Sequence, residues 1–127
     1  MKKIIKTKHA AAPIGPYNQA VSINGFLYTS GQIAINPETG KTEFNTIEEE
    51  TNRVMISLKA ILSEANLDFS HVIKTSIFIS DMNNFSKINE IYGSYFNEDT
   101  APARETVQVA RLPKDANVEI SLIAFQG

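Results

Sequence analysis

The sequence contains no cysteine among its 127 residues. Disulfide bonds, cysteine-ligated zinc and thiol nucleophiles are therefore excluded. A long apolar run is also missing, because Met1-Lys2-Lys3 is followed by Ile4-Ile5 and then by charged residues again. No stretch resembles a secretory signal, and none approaches the roughly 18 apolar residues that suggest a membrane span. We therefore expect a cytoplasmic protein that does not bind membranes.

An excess of positive charge is absent as well. Lys and Arg together number 12 and Asp and Glu number 14, so the net charge is −2. Affinity for nucleic acid comes mainly from clustered Lys and Arg. The one local cluster, Lys2, Lys3 and Lys6, is short and fits a solvated chain end. The composition argues against nucleic acid as a partner.

Several motifs of catalytic and metal sites are missing. His9 and His71 are the only histidines, and no Asp or Glu stands at a spacing that would complete a metal site with them. There is no G-x-S-x-G nucleophile elbow and no phosphate-binding glycine loop. We expect both histidines to be structural and predict no metal site.

The residues that are present indicate a single globular domain over residues 1–127. Hydrophobic residues make up 43 %, which is too many for a disordered chain. A chain of this length buries a core without disulfides or metals. No internal repeat, linker or low-complexity stretch interrupts it.

Two helices are predicted from apolar residues at helical spacing. The first runs from Thr46 to Ala65, with Thr46 as N-cap, Glu49 placed to complete a capping box and Asn66 as a C-terminal stop. The second runs from Asn84 to Phe96. These helices alternate with strands along the chain.

The strands follow from β-branched and aromatic residues between turn signals. Val21 to Tyr28 reads as a hairpin whose turn is Asn24-Gly25. Further strands are predicted at 72–79, 106–109 and 118–125, a loop at 36–40 and a turn at 112–115. The order is then β-β-β-α-β-α-β-β, an α+β domain in which two helices cover one face of the sheet.

The last strand is expected to bury both of its faces. Side chains alternate along a strand, so the two faces hold Val118, Ile120, Leu122 and Ala124 on one side and Glu119, Ser121, Ile123 and Phe125 on the other. The second face is too apolar for water. We therefore predict a homo-oligomer.

Two residues are candidates for chemistry. Arg104 follows Ala101-Pro102-Ala103 at the mouth of a predicted strand, and a guanidinium binds a carboxylate through two parallel hydrogen bonds. A surface arginine paired with Glu105 or another acid also explains this residue. Glu119 lies inside the last strand, where a carboxylate can orient or deprotonate a water. The alternative for Glu119 is an exposed position on an edge strand.

Polar groups on either side of the hairpin are candidates for a pocket. They lie in Pro16-Tyr17-Asn18-Gln19 and in Thr29-Ser30-Gly31-Gln32. Tyrosine, serine and backbone N–H groups beside glycine suit a small polar ligand. Turn formation alone also explains the glycines, the proline and the serine.

Taken together, these segments resemble the RidA/YjgF family of reactive-intermediate deaminases. The matching stretches occur in the family's order over essentially the whole chain. They are 14–20 (IGPYNQA), 28–33 (YTSGQI), 72–75 (VIKT), 81–83 (DMN), 102–104 (PAR), 109–115 (VARLPKD) and 118–120 (VEI).

The resemblance implies a chorismate mutase-like fold and a homotrimer. Three sheets would line a central barrel with the helices outside, and the pockets would lie in clefts between subunits. It also implies an enzyme that needs no cofactor.

The resemblance assigns roles to individual residues. It implies that Arg104 binds the substrate carboxylate and that Glu119 positions the water. The implied pocket residues are Tyr17, Ser30, Gly31, Asn89 and Thr106. Some family members have cysteine where this chain has Thr106, which suggests that no nucleophile is required there.

The implied reaction is that of a 2-iminobutanoate/2-iminopropanoate deaminase. Such an enzyme hydrolyses reactive imines and enamines, such as 2-aminoacrylate, to 2-keto acids and ammonia. Two rivals remain open from the sequence. One is an endoribonuclease acting on single-stranded RNA, and the other is a non-enzymatic ligand-binding or chaperone protein.

Overall fold

A computed structural model describes residues 1–127. The strands are β1 (Lys3–Ile5), β2 (Ala20–Ile23), β3 (Phe26–Thr29), β4 (Val72–Ile79), β5 (Ala103–Gln108) and β6 (Val118–Phe125). The helices are α1 (Ile47–Glu64) and α2 (Phe85–Gly93). The predicted order β-β-β-α-β-α-β-β is therefore confirmed.

The strands form one six-stranded mixed sheet in the order β1-β2-β3-β6-β4-β5. Strands β4 and β5 are parallel, and every other neighbouring pair is antiparallel. Parallel neighbours need a crossover connection, which α2 provides. The helices α1 and α2 pack against each other on one side of the sheet. This architecture confirms the predicted α+β fold.

The hydrophobic core lies between the helices and the sheet. Its sheet side includes the predicted inner face of β6, namely Val118, Ile120, Leu122 and Ala124, all buried. Its helix side includes the predicted apolar stripe of α1, which consists of Ile47, Val54, Leu58, Ile61, Leu62 and Ala65. The middle four are buried, and Ile47 and Ala65 are partly buried against the core. The predicted alternation of side chains between the two faces of β6 and the predicted helical spacing of apolar residues in α1 are thus both confirmed.

The ends of α1 are set by local hydrogen bonds and backbone conformation. The Thr46 hydroxyl accepts a hydrogen bond from the Glu49 N–H at 3.0 Å. The reciprocal bond from the Glu49 side chain is not formed, so only half of the predicted capping box is present. Asn66 has a φ of 59°, the left-handed conformation that ends a helix.

The predicted turns are also present. Asn24 and Gly25 have φ values of 51° and 85°, as the two-residue hairpin turn requires. A turn covers residues 37–39, and Pro113–Asp115 forms a short 3-10 helix. His71 has the predicted structural role, since its Nδ1 accepts the Asp68 N–H at 3.1 Å.

Two predicted boundaries are wrong. Helix α2 ends at Gly93 and not at Phe96, because glycine is a poor helix former and the chain turns there. Strand β5 begins at Ala103 and not at Thr106, because parallel pairing with β4 already starts at Lys74 and Ala103. As a consequence Arg104 lies inside a strand, with a fixed backbone, and not at its mouth.

The side of the sheet away from the helices is called here the open face. Register places Glu119, Phe78 and Val107 in one row across it. The exposed large apolar residues on this face are Ile4, Ile23, Tyr28, Val107 and Phe125. An apolar area this broad is typical of a surface that is covered in an assembly. Neither helix is long and apolar enough to cross a membrane.

Candidate active site

The side chain of Arg104 lies on the helix side of the sheet. Its Cα partner on β4 is Thr75, which is buried beneath α2. The Arg104 Nη1 donates a 2.6 Å hydrogen bond to Oδ1 of Asn89. The guanidinium carbon also lies 5.6 Å from the ring centre of Phe85 and 5.1 Å from that of Tyr92. Helix α2 therefore holds this arginine from one side.

The guanidinium of Arg104 has no acidic partner within the chain. Glu105, the partner that the sequence suggested as an alternative, points to the open face. There it forms an ion pair with Lys74 at 3.3 Å and accepts a hydrogen bond from Ser76 at 2.9 Å. These contacts lower the pKa of Glu105, with the Ser76 hydrogen bond as the largest cause. The charge of Arg104 is left available for an external carboxylate.

A cleft of about 600 Å³ opens beside Arg104. It lies between α2, the segment that follows it and the start of β5. Its lining includes Asn89, Tyr92, Glu98 and Pro102. A small carboxylic acid fits a space of this size. Arg104 and Asn89, two of the predicted site residues, are brought together here.

Glu119 lies on the opposite side of the sheet from Arg104. Its neighbours Val118 and Ile120 point into the core, so its own side chain points to the open face. The carboxyl group rests against the backbone of Gly31. A Cβ added at Gly31 would stand only 2.6 Å from Cδ of Glu119. A glycine at position 31 is therefore required by the position of this carboxyl group.

Burial raises the pKa of the Glu119 carboxyl group. The cause is loss of water from around the charged form, and no partner within the chain offsets it. A carboxylate that is half-buried and unpaired is a stronger base than one in water. Such a group suits the removal of a proton from a water molecule.

A second cleft, of about 320 Å³, has Glu119 in its wall. Tyr17 and Gly31 line the same cleft. Tyr17 is half-exposed, and its hydroxyl oxygen is 3.4 Å from the Ile14 N–H. Three of the predicted site residues, Tyr17, Gly31 and Glu119, therefore meet here.

Ser30 links the two segments that flank the hairpin. Its hydroxyl donates to the Asn18 carbonyl at 2.6 Å, and its N–H donates to the Gln19 carbonyl at 2.8 Å. The buried side chain of Gln19 in turn donates to the carbonyls of Ala10 and Ala11. Gln19 lines the second cleft, and Ser30 supports the Gln19 segment through these hydrogen bonds without lining the cleft itself. The supporting role of Gln19 was not predicted from the sequence.

Thr106 lies next to Arg104 on the same side of β5. Its hydroxyl is buried and has no hydrogen-bond partner. Its backbone lies on the free edge of the sheet, because β5 is the last strand. The Val109 N–H, one residue beyond β5, donates to the Ile79 carbonyl on β4. Backbone N–H and C=O groups alternate in direction from one residue to the next along a strand. The N–H and C=O groups of Thr106 therefore point outward from the sheet edge.

The predicted site residues form two groups within one chain. Arg104 and Asn89 line the first cleft, and Tyr17, Gly31 and Glu119 line the second. The sheet separates the two groups. Phe85 and Tyr92 were predicted only as part of the apolar stripe of the second helix and not as site residues, although with Asn89 they have the i, i+4, i+7 spacing of one helix face.

The chain was compared with protein families and with individual relatives. Residues 7–126 match the family model described as Endoribonuclease L-PSP. A RutC family protein of Synechocystis is 52 % identical over 124 residues, which cover 96 % of this chain and 95 % of that protein. The 2-iminobutanoate/2-iminopropanoate deaminase of Mus musculus is 42 % identical and covers 100 % of this chain and 93 % of its own length.

Solved structures agree with the sequence matches. The crystal structure of Escherichia coli TdcF with bound serine superposes with a TM-score of 0.92 at 42 % identity. The superposition covers 98 % of this chain and 99 % of that chain. Full-length matches at this identity, together with the family model and the two clefts, lead to one conclusion. The chain belongs to the RidA/YjgF family.

Proposed function

We propose that the protein is a 2-iminobutanoate/2-iminopropanoate deaminase. Its substrates are short 2-imino acids and their enamine tautomers, such as 2-aminoacrylate, and its products are 2-keto acids and ammonia. The mouse relative is named for this activity, and the TdcF structure contains serine, a small 2-amino acid. No cofactor is required, because the imine carbon is already electrophilic.

The observation on which the proposal depends is the unpaired guanidinium of Arg104. It is fixed by the Asn89 amide and two aromatic rings, and no acidic side chain of the chain neutralises it. A planar fork held in this way is suited to a carboxylate, which it binds through two parallel hydrogen bonds. The carboxylate is the group that all 2-imino acids share.

The complete site requires more than one chain. Arg104 and Glu119 point to opposite sides of one sheet, so one chain does not present both to a single small substrate. The exposed apolar open face supports a homotrimer in which the sheets line a barrel. Arg104, Asn89 and the outward backbone of Thr106 would then come from one subunit. Tyr17, Gly31 and Glu119 would come from its neighbour.

The reaction is the addition of water followed by loss of ammonia. Arg104 fixes the carboxylate and thereby C2 of the substrate. Glu119 takes a proton from a water whose oxygen attacks C2, and the C=N electron pair moves to nitrogen, which is protonated. The resulting carbinolamine then collapses. The proton of the C2 hydroxyl moves to the amino nitrogen by way of the Glu119 carboxylate, a C=O bond forms, and the C–N bond breaks to release ammonia.

The proposal is tested by making the imine in situ with an amino acid oxidase and measuring keto-acid release. Wild-type protein should raise the rate above that of free imine, and Arg104→Ala and Glu119→Gln should not. Arg53→Lys and Glu38→Gln are matched controls outside both clefts. A wild-type rate equal to spontaneous hydrolysis would overturn the proposal.

The family description gives one rival, cleavage of single-stranded RNA. The net charge of −2 gives little attraction for phosphates. We expect purified protein to leave a fluorescent RNA oligonucleotide intact. Cleavage that copurifies with the oligomer and is lost in Glu119→Gln would favour the ribonuclease. Binding of a keto acid without any imine turnover would favour a non-enzymatic ligand-binding protein.

A further inference from the structure

The guanidinium of Arg104 is held by three side chains of α2, and Tyr92 is the one of them that is buried. An arginine on an edge strand with no acidic partner would ordinarily adopt many rotamers. Here its guanidinium carbon lies 5.1 Å from the ring centre of Tyr92 and 5.6 Å from that of Phe85. A cation above an aromatic face is attracted by the electron density of the ring. Arg104 is therefore restrained in position.

The ring of Tyr92 is itself fixed. Tyr92 is only 5 % exposed, and its ring packs against Phe96 with a centroid distance of 4.9 Å. Its hydroxyl is 2.8 Å from Oγ1 of Thr75, a residue that is 1 % exposed. Each of these buried hydroxyls satisfies the other. The pair ties α2 to β4 across the interior of the domain.

Thr75 is also the Cα partner of Arg104 in the β4–β5 register. Thr75, Tyr92 and Arg104 are therefore linked by three contacts. Thr75 pairs with Arg104 in the sheet, its hydroxyl bonds to that of Tyr92, and the Tyr92 ring contacts the Arg104 guanidinium. Burial raises the pKa of the Tyr92 phenol. Either hydroxyl can be the donor in the bond between Tyr92 and Thr75.

We propose, on the basis of the proposed function, that Tyr92 is a positioning residue for substrate binding. Its ring, anchored by the Thr75 hydroxyl, sets the position from which Arg104 presents its fork to the substrate carboxylate. The carboxylate is bound alike in the ground state and in the transition state. The effect of the Tyr92 ring therefore falls mainly on KM, with kcat little changed.

The first test removes the ring. Tyr92→Leu should raise KM for the imine roughly 5- to 30-fold, the range expected for loss of a partly desolvated cation–π contact. Phe69→Leu is the matched control, because Phe69 packs in the same aromatic cluster and does not touch Arg104. The control should lower the melting temperature and leave KM within about twofold. An equal rise in KM for both variants would reduce Tyr92 to a structural residue and overturn the proposal.

The second test removes only the hydrogen bond between Tyr92 and Thr75 and keeps the Tyr92 ring. These milder variants decide the question if Tyr92→Leu does not fold. Tyr92→Phe and Thr75→Val each break the same hydrogen bond. We expect each to raise KM by roughly 2- to 5-fold, and the double variant to be no worse than the poorer single variant. Unchanged KM values in both single variants would overturn the role of the link.

Binding of 2-oxobutanoate separates this proposal from the proposed reaction. Its dissociation constant, measured by calorimetry, should rise in Tyr92→Leu by the same factor as KM. If wild-type protein binds 2-oxobutanoate but does not turn over imines, the reaction is overturned, and the role of Tyr92 is decided by the dissociation constants alone. Equal dissociation constants for wild type and Tyr92→Leu, or no binding by wild type, would overturn the role of Tyr92.

Discussion

Arg104 and Glu119 lie on opposite sides of the same sheet. Arg104 shares the helix side with Thr75, whereas Glu119 lies between two residues that point into the core and so faces away from the helices. Strand β4 stands between their two strands. The group suited to bind a carboxylate and the group suited to activate water therefore belong to different clefts of one chain.

Replacing Arg104 with lysine should lower kcat/KM by roughly 10- to 100-fold, because an ammonium cannot reproduce two parallel hydrogen bonds to a carboxylate. The oligomeric state and the melting temperature should not change, since the side chain is exposed. Keto-acid release and size-exclusion chromatography measure both. Arg53→Lys should behave as wild type, and wild-type kinetics in Arg104→Lys would remove Arg104 from the site.

Gly31→Ala should displace the carboxyl group of Glu119. The added methyl would stand 2.6 Å from Cδ of Glu119, at the end of a flexible side chain that can rotate away. We therefore expect a fall in kcat of about 10- to 100-fold with little loss of stability. Stopped-flow kinetics and thermal unfolding on the same sample measure the two effects. A variant that keeps full activity would show that the contact is irrelevant to catalysis.

As the pH is lowered, the enzyme should lose activity at a pH above the ordinary pKa of a glutamate side chain. Burial raises the pKa of Glu119, and the group acts as a base only when ionised. Protonation therefore removes activity as the pH drops through this raised pKa. The pH profile of kcat/KM measures the position of the acid limb. Glu119→Gln should abolish the catalysed rate and this limb with it, and a catalysed rate with an unchanged acid limb in that variant would assign the limb to another group.

The same pKa shift predicts a change in stability. Because the folded state binds the Glu119 proton more tightly than the unfolded state, ionisation destabilises the fold as pH rises from the ordinary glutamate pKa through the raised one. Glu119→Gln should therefore be more stable than wild type at neutral pH. The difference should vanish below the ordinary pKa. Urea unfolding at several pH values measures it, and a less stable variant at neutral pH would contradict the assigned sign.

The sequence predicted the fold well because local patterns and global packing agree. The period of α1, the alternation of β6 and the Asn24-Gly25 turn each depend on nearby residues, and all three were confirmed. The start of β5 was predicted wrongly because it depends on residues that are distant in the sequence. Strand β5 begins at Ala103 because β4 pairs with it there, and nothing within 103–105 alone indicates that pairing.

The candidate site was predicted only in part, for a related reason. The resemblance named seven residues, and five of them line the two clefts: Arg104 and Asn89 the first, and Tyr17, Gly31 and Glu119 the second. Ser30 and Thr106 line neither cleft. A linear sequence does not say which side of a sheet a residue faces until the register is known. Supporting contacts, such as the one between Gly31 and Glu119, depend on the bridge that joins Gln32 to Ile120.

The most direct test of a site shared between subunits mixes two inactive proteins. Arg104→Ala and Glu119→Gln are coexpressed with different tags, and trimers that contain both are purified. If each site takes Arg104 from one subunit and Glu119 from the next, every mixed trimer holds one intact site out of three and should regain about a third of the wild-type rate. Activity no higher than that of either parent variant would contradict a shared site and, with it, the proposed mechanism.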